Sequence, residues 1–156
     1  MLKSWMVIGG VALVVAAVGA TLTPKDRWFY RLRRPQWLTF EGAIPFIWTF
    51  ILICGVWSAY LVWEVAPGSQ RSWWLMGLYL LVELAIMSYT LVMFAVRSLM
   101  VGVVLGATGT FFGAILAVLV FPVSTWAFVL LLPYLIWSPI GTYVTWAMIR
   151  LNPGNA

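Results

Sequence analysis

Five long apolar runs, separated by short polar segments, account for most of the chain. They cover residues 5–22, 43–63, 73–96, 99–120 and 126–149. About 20 apolar residues in a helix are enough to cross the hydrocarbon core of a bilayer. A backbone in lipid must satisfy its own hydrogen bonds, and no strand-like alternation suggests a barrel. We therefore predict an all-α membrane protein, a single domain over residues 1–156 built as a bundle of five transmembrane helices.

Composition and run lengths refine this prediction. The chain is 64% hydrophobic and only 8% charged, whereas soluble domains carry about 25% charged residues. The first run resembles a signal peptide, but it is longer than the usual apolar core of about 7–15 residues, so we expect a retained span. Only Arg97 and Ser98 separate the third and fourth runs. These two spans should therefore form a tight antiparallel hairpin.

The basic residues are unevenly divided between the two sides of the predicted membrane. Lys3 and Arg71 fall on one side, and the other basic residues fall on the opposite side: Lys25, Arg27, Arg31, Arg33, Arg34, Arg97 and Arg150. The positive-inside rule then places the first loop, residues 23–42, and the C-terminus in the cytoplasm, with the N-terminus on the opposite side. Contact with anionic lipid explains the net charge of +5. We expect membrane lipid as a partner and no nucleic acid.

Several classes of chemistry lack their usual residues. The sequence has no histidine and one cysteine, Cys54, which lies in an apolar run. Histidine is the commonest general base and metal ligand, so its absence argues against a metal site and against a tightly ligated haem iron. No nucleophile–base pair, phosphate loop or paired carboxylates are visible. The sequence predicts no catalytic residue and no required cofactor.

The second span carries an aromatic residue beside a small one. Trp48, Leu52 and Gly55 follow Pro45 at helical spacing and share one face. A tryptophan one turn inside the membrane, with a glycine further along the same face, suggests a wall with space beside it. Ordinary packing between helices is the alternative.

The fifth span has a face that is too polar and too aromatic for lipid. This face contains Tyr134, Trp137, Ser138, Gly141 and Thr145. Pro139 within it cannot donate a backbone hydrogen bond, so we expect a kink there. Backbone groups freed at membrane depth must be buried in protein or line a cavity. We therefore expect this face to point inward and to leave space beside Trp137.

Two further features lie within the spans. Glu83 falls near the midplane, where a carboxyl group is costly and faces the bundle interior. It could relay protons or contact a ligand, or it could be a neutral acid bonded to a neighbouring helix or subunit. The fourth span contains Gly102-xxx-Gly106 and Gly109-xxx-Gly113, a spacing that lets helices approach closely. Packing within the bundle and packing in a dimer remain equal alternatives.

Three motifs together resemble the TspO/MBR family, also called translocator protein or peripheral benzodiazepine receptor. The strongest is the Pro-Tyr-Leu-x-Trp pattern of residues 133–137 with the terminal Arg-Leu-Asn of residues 150–152. The others are Trp28-Phe29 with Arg34-Pro35-x-Trp37, and Pro45-x-x-Trp48-Thr49. The resemblance covers nearly the whole chain.

The chain departs from the family pattern at two places. Residues 39–42 read Thr-Phe-Glu-Gly where the family usually has Pro-Pro-x-Trp. Ile86 and Tyr89 stand where the family's third helix carries an asparagine and a tryptophan. The asparagine that would contact a polar ligand is therefore replaced, and nearby Glu83 could take its place.

The resemblance implies a five-helix bundle, commonly dimeric, with a pocket between the helices under the first loop. That pocket binds porphyrins and other tetrapyrroles, sterols or drug-like aromatics, and bound lipid is a further candidate. Carried over to this chain, the ligand-binding residues are Trp37, Trp48, Tyr89, Tyr134, Trp137 and Gly141. Glu83 and Arg34 are candidate polar contacts.

Three functions remain open at this point. The resemblance favours a membrane protein that binds a planar hydrophobic ligand for transport, buffering or signalling. An enzyme that degrades a bound porphyrin is a second reading, recognisable by product formation under light. A structural or assembly subunit of a larger membrane complex, including a photosynthetic one, is the third. Stoichiometric partners that co-purify in mild detergent would support it.

Overall fold

The computed structural model, which describes residues 3–24 and 27–156, contains five long helices and one short helix. Lys25, counted above among the basic loop residues, lies outside the described residues. The five long helices are each long and apolar enough to cross a membrane. The predicted fold class is thus confirmed, with span ends shifted by a few residues. The helices are α1 (Ser4–Leu22), α2 (Trp28–Arg31), α3 (Ile44–Val65), α4 (Gln70–Val96), α5 (Leu99–Val120) and α6 (Thr125–Leu151).

Serine side chains define where three of the long helices begin. Ser69, Ser98 and Ser124 each accept a hydrogen bond from a backbone amide three residues further along. Such N-caps satisfy amides that have no partner inside the helix. Helix α3 begins instead with a proline in its first turn, where the missing N–H costs nothing.

The predicted hairpin between α4 and α5 is present and very tight. Arg97 adopts a left-handed conformation with φ of 52°. The amides of Arg97 and Ser98 both donate to the carbonyl of Met93, which closes the end of α4. Ser98 then caps α5 at once. The chain therefore reverses within two residues, and α4 and α5 pack along each other.

The five long helices form a closed ring. Passing around it, α1 packs on α3, α3 on α6, α6 on α5, α5 on α4, and α4 on α1. Two hydrophobic clusters occupy the two ends. The larger lies at the end away from the first loop and includes Leu116, Val120 and Tyr134. The smaller lies beneath that loop and includes Leu32, Met93 and Met148.

The glycines of α5 serve packing within the chain. A Cβ atom added at Gly113 would overlap the ring of Tyr134, and one added at Gly106 would overlap Thr142. Added methyl groups at Gly102 and Gly109 would likewise meet side chains of α4 and α6. The small residues thus let α6 and α4 approach α5 closely. The glycine-rich face that could have served a dimer is covered inside the bundle.

Helix α6 runs without interruption from Thr125 to Leu151, through both Pro133 and Pro139. Threonine hydroxyls bond carbonyls in the turns around Pro139: Thr142 donates to Ser138 and Thr145 donates to Gly141. The expected kink at Pro139 stays a prediction.

Helix α1 is the most loosely held member of the ring. Ala12 and Gly19 are its only buried residues within the described part of the chain. At Gly19 the backbone comes so close to Met87 of α4 that a Cβ would lie 3.0–3.1 Å from that side chain. Nearer its N-terminus, Ser4 donates a hydrogen bond to Glu64 of α3, and a Cβ added at Gly9 would lie 3.8 Å from Val56 of α3. The space that remains between α1, α3 and α4 is the cavity described next.

Candidate functional site

A cavity of about 860 Å³ lies inside the helical ring. Its walls come mainly from α1, α3 and α4, and Leu116 of α5 and Tyr134 of α6 contribute to its inner side. On α1 the lining extends from Ser4 to Thr23. At 1.5 Å per residue that stretch covers about 29 Å, close to the hydrocarbon thickness of about 30 Å. The cavity therefore extends through most of the membrane depth.

The walls are apolar and unusually aromatic. Trp48 of α3 and Tyr89 of α4 lie at the end near the first loop, and Trp63 and Trp73 lie at the other end. The side chains of Tyr89 and Thr145 hydrogen-bond each other, which fixes the phenol against α6. An apolar cavity with a few fixed polar groups is typical of small-molecule sites.

Helix α3 supplies the open part of the wall. Trp48, Leu52 and Gly55, which the sequence places on one face, all line the cavity. A Cβ atom added at Gly55 would have no neighbour within 4 Å. Gly55 therefore faces empty space, unlike the glycines of α5.

The carboxyl group of Glu83 lies halfway along α4 and lines the same cavity. Its Oε1 is buried and has no hydrogen-bond partner among the described residues. Within residues 3–24 and 27–156, no lysine or arginine contributes to the lining. Neighbouring polar groups are better satisfied: Ser58 donates to the Ala127 carbonyl at 2.6 Å and pairs with the Tyr79 hydroxyl at 2.5 Å. Among the described residues, Glu83 is therefore the one acidic group in the cavity lining.

The other predicted site residues lie outside this cavity, either in the first loop or on α6 near it. The ring of Trp37 stacks on Tyr143 with centroids 5.9 Å apart. Trp137 contacts Phe40 edge to face at 6.2 Å, and its buried indole nitrogen has no partner within the described chain. Gly141 is half-buried. The structure thus divides the predicted set: Trp48, Tyr89, Tyr134 and Glu83 line the cavity, and Trp37, Trp137 and Gly141 do not.

Arg34 also lies away from the cavity, where it holds the loop together. Its Nη1 donates to the carbonyls of Phe29 and Leu32 at 2.8 and 2.7 Å, and its Nε pairs with Glu41 at 3.0 Å. The guanidinium carbon also lies 4.5 Å from the centre of the Phe29 ring. In this structure Arg34 therefore orders the loop.

The C-terminus fastens the first loop to α6. The Asn152 side-chain oxygen accepts from the Arg33 amide at 2.8 Å, and its nitrogen donates to the carbonyls of Arg33 and Met148 at 3.0 and 2.9 Å. Asn155 adds an acceptor for the Trp28 indole at 2.7 Å. Because the bonds to Arg33 and Trp28 join segments more than 110 residues apart, they fix the loop over the end of the ring.

Sequence reasoning missed the contribution of α1. Its lining residues recur every three or four positions: Ser4, Ile8, Ala12, Ala16, Gly19 and Thr23. Almost every residue of this helix is apolar, so no polar face marks which side meets lipid. Trp63 and Trp73 also line the cavity. Both stand at the ends of apolar runs, a position typical of tryptophans that anchor a helix at the membrane interface, so the sequence does not mark them as lining residues.

Comparison with known proteins identifies the family. The model of the TspO/MBR family matches residues 7–151, nearly the whole chain. The chain belongs to the TspO/MBR family. Its fold, a ring of five membrane helices, is the one that the motifs at residues 133–137 and 150–152 imply.

Three similar TspO/MBR proteins come from different bacteria. The tryptophan-rich protein TspO of Chlorobaculum tepidum is 29% identical over 149 residues, 92% of each chain. The tryptophan-rich sensory protein of Cereibacter sphaeroides is 28% identical over 138 residues, 88% of this chain and 84% of the relative. The tryptophan-rich protein TspO of Bacillus cereus is 25% identical over 156 residues, 97% and 99% of the two chains.

We predict that Asn152→Asp releases the first loop. The carboxylate keeps an acceptor for the Arg33 amide but loses both donated bonds, and it faces two carbonyl oxygens instead. Amide hydrogen exchange over residues 32–40, followed by mass spectrometry, should accelerate at least about tenfold, which corresponds to about 1.4 kcal/mol of lost local stability.

Asn155→Asp is the matched control, because the Asn155 side chain only accepts in its bond with Trp28. Its exchange over residues 32–40 should stay close to that of the parent. Equal exchange in Asn152→Asp and the parent would show that the loop is held by other contacts.

Proposed function

We propose that this TspO/MBR protein binds a planar hydrophobic ligand, a porphyrin or other tetrapyrrole or a sterol, inside the helical ring. The observation that carries the proposal is the apolar cavity of about 860 Å³. Ligand sites commonly enclose about 300–1,000 Å³. The cavity therefore has the size and the character that a flat apolar molecule requires.

Recognition would rest mainly on apolar and aromatic contact. The Trp48 ring offers a flat surface at the loop end of the cavity, and the Tyr89 phenol, tied to Thr145, adds a second aromatic wall. Offset stacking on such rings adds about 0.5–1.5 kcal/mol beyond the burial of apolar area. The fastened first loop covers this end of the ring and would shield the bound ligand from water.

The loose packing of α1 supports exchange of the ligand with the bilayer. The wall formed by α1 carries only two buried residues among those described, so separating it from α3 and α4 exposes little core. Helices with few buried contacts open at low cost. A ligand dissolved in lipid could enter there without crossing water.

The biological outcome of binding is transport, buffering or signalling. Among these, signalling is favoured by the name of the Cereibacter sphaeroides relative, a tryptophan-rich sensory protein. In that case occupancy of the cavity would be the signal, and the first loop, fastened through Asn152, would be the part that a cytoplasmic partner could read.

A substitution that fills the cavity tests this proposal while leaving all 11 tryptophans as reporters. We predict that Gly55→Leu weakens binding of protoporphyrin IX at least about tenfold, because the new side chain occupies the space that the ligand needs. The measurement is quenching of tryptophan fluorescence during a titration in lipid nanodiscs.

Gly10→Leu is the matched control. Gly10 is exposed, also has no neighbour within 4 Å of a built Cβ, and lies outside the lining. Its titration should match that of the parent. Saturable binding that survives Gly55→Leu but is lost in Trp137→Ala would move the site to the space beneath the first loop.

We also propose that the first loop and the C-terminus face the cytoplasm. In right-side-out membrane vesicles, a membrane-impermeant maleimide should label Gln70→Cys directly and Gln36→Cys only after permeabilisation. Both glutamines are exposed, and the native Cys54 is buried and gives little background. The reverse labelling pattern would invert the proposed orientation.

A further inference from the structure

The unpartnered carboxyl group of Glu83 places a constraint on what the cavity can hold. An ionisable side chain at membrane depth is costly and normally pairs with another group. Here the buried Oε1 has no partner among the described residues, and it belongs to a side chain that lines the cavity. A ligand that supplies a positive charge or a strong hydrogen-bond donor at this depth would remove that cost.

The rest of the lining favours positive charge over negative charge. In the described part of the chain, the cavity wall contains no lysine or arginine, and Arg34 of the first loop is bound to two carbonyls and Glu41. A ligand anion at the depth of Glu83 would therefore find no opposite charge. Six aromatic residues among those described line the cavity instead: Trp48, Trp63, Trp73, Tyr79, Tyr89 and Tyr134. Aromatic ring faces attract cations, most strongly when water is excluded.

We propose that the cavity accepts lipophilic organic cations, with the positive charge held against Glu83 and the apolar groups against the aromatic walls. This inference rests on the proposed function, which is ligand binding in the cavity. It specifies in addition that the preferred ligand carries a positive charge. A protonated hydrophobic amine would also donate a hydrogen bond to the carboxyl group of Glu83. A porphyrin bearing carboxylates would instead bind with those groups away from Glu83.

Two probes that share nearly the same shape but carry opposite charges can test whether the cavity prefers positive charge. Tetraphenylphosphonium is a lipophilic cation, and tetraphenylborate is an anion of nearly the same size and form. Both partition into lipid, so each is titrated against the parent and the Glu83→Gln variant in nanodiscs of the same composition. The comparison between variants then removes the contribution of the lipid.

The expected result is that Glu83→Gln weakens tetraphenylphosphonium binding at least about tenfold and leaves tetraphenylborate binding unchanged or stronger. Glu64→Gln is the matched control. It removes the same charge from an exposed carboxylate at the end of α3, outside the cavity lining. It should alter neither titration.

Equal affinity of the parent and Glu83→Gln for the cation would overturn the inference, as would absence of saturable cation binding to the parent. A protoporphyrin IX titration of the same samples separates the two proposals. If porphyrin binds saturably and the cation does not, the proposed function stands and the inference fails. If the cation binds through Glu83 and porphyrin does not, the inference stands and the porphyrin assignment fails.

Discussion

The contact between Tyr134 of α6 and the glycines of α5 determines how the rest of the bundle is arranged. The tyrosine ring occupies the position that a Cβ atom of Gly113 would need, and its hydroxyl lies 3.0 Å from the corresponding position at Gly109. Without a hydrophobic driving force between helices in lipid, such close approach is a main source of association. Helix α5 consequently packs closely against both α4 and α6.

The other side of the ring is open for the same reason. Once α6 and α4 are drawn onto α5, α1 closes the ring through Gly19 against Met87 and through the hydrogen bond from Ser4 to Glu64, and it leaves a cavity against α3 and α4. The molecule thus combines a rigid half, which fixes Tyr89 through Thr145, with a loosely held wall. Glu83 lies midway along α4, on the side of that helix that lines the cavity. The same division explains how a bundle with so few polar groups can both hold its shape and admit an apolar ligand.

The sequence predicts the helices well because apolar runs in a membrane have few alternatives. The five spans and the two-residue hairpin at Arg97 follow from run lengths alone. Periodicity also shows which residues share a face, as for Trp48, Leu52 and Gly55. It does not show which neighbour that face meets. Trp137 and Gly141 share a face with Tyr134, yet they lie beneath the first loop, whereas Tyr134 reaches the cavity. The lining of α1 could not be predicted, since a helix that is apolar all round gives no sign of its inner side.

The most direct test of this account is the stability of Gly113→Ala, measured by thermal unfolding in nanodiscs beside Gly10→Ala. The added methyl group at Gly113 must displace the Tyr134 ring, and overpacking of this kind costs about 1–3 kcal/mol. The account predicts a clearly lower unfolding temperature for Gly113→Ala and a parental one for Gly10→Ala, where a methyl group meets nothing within 4 Å. An unchanged unfolding temperature in Gly113→Ala would contradict it, because α5 and α6 would then not depend on this close approach.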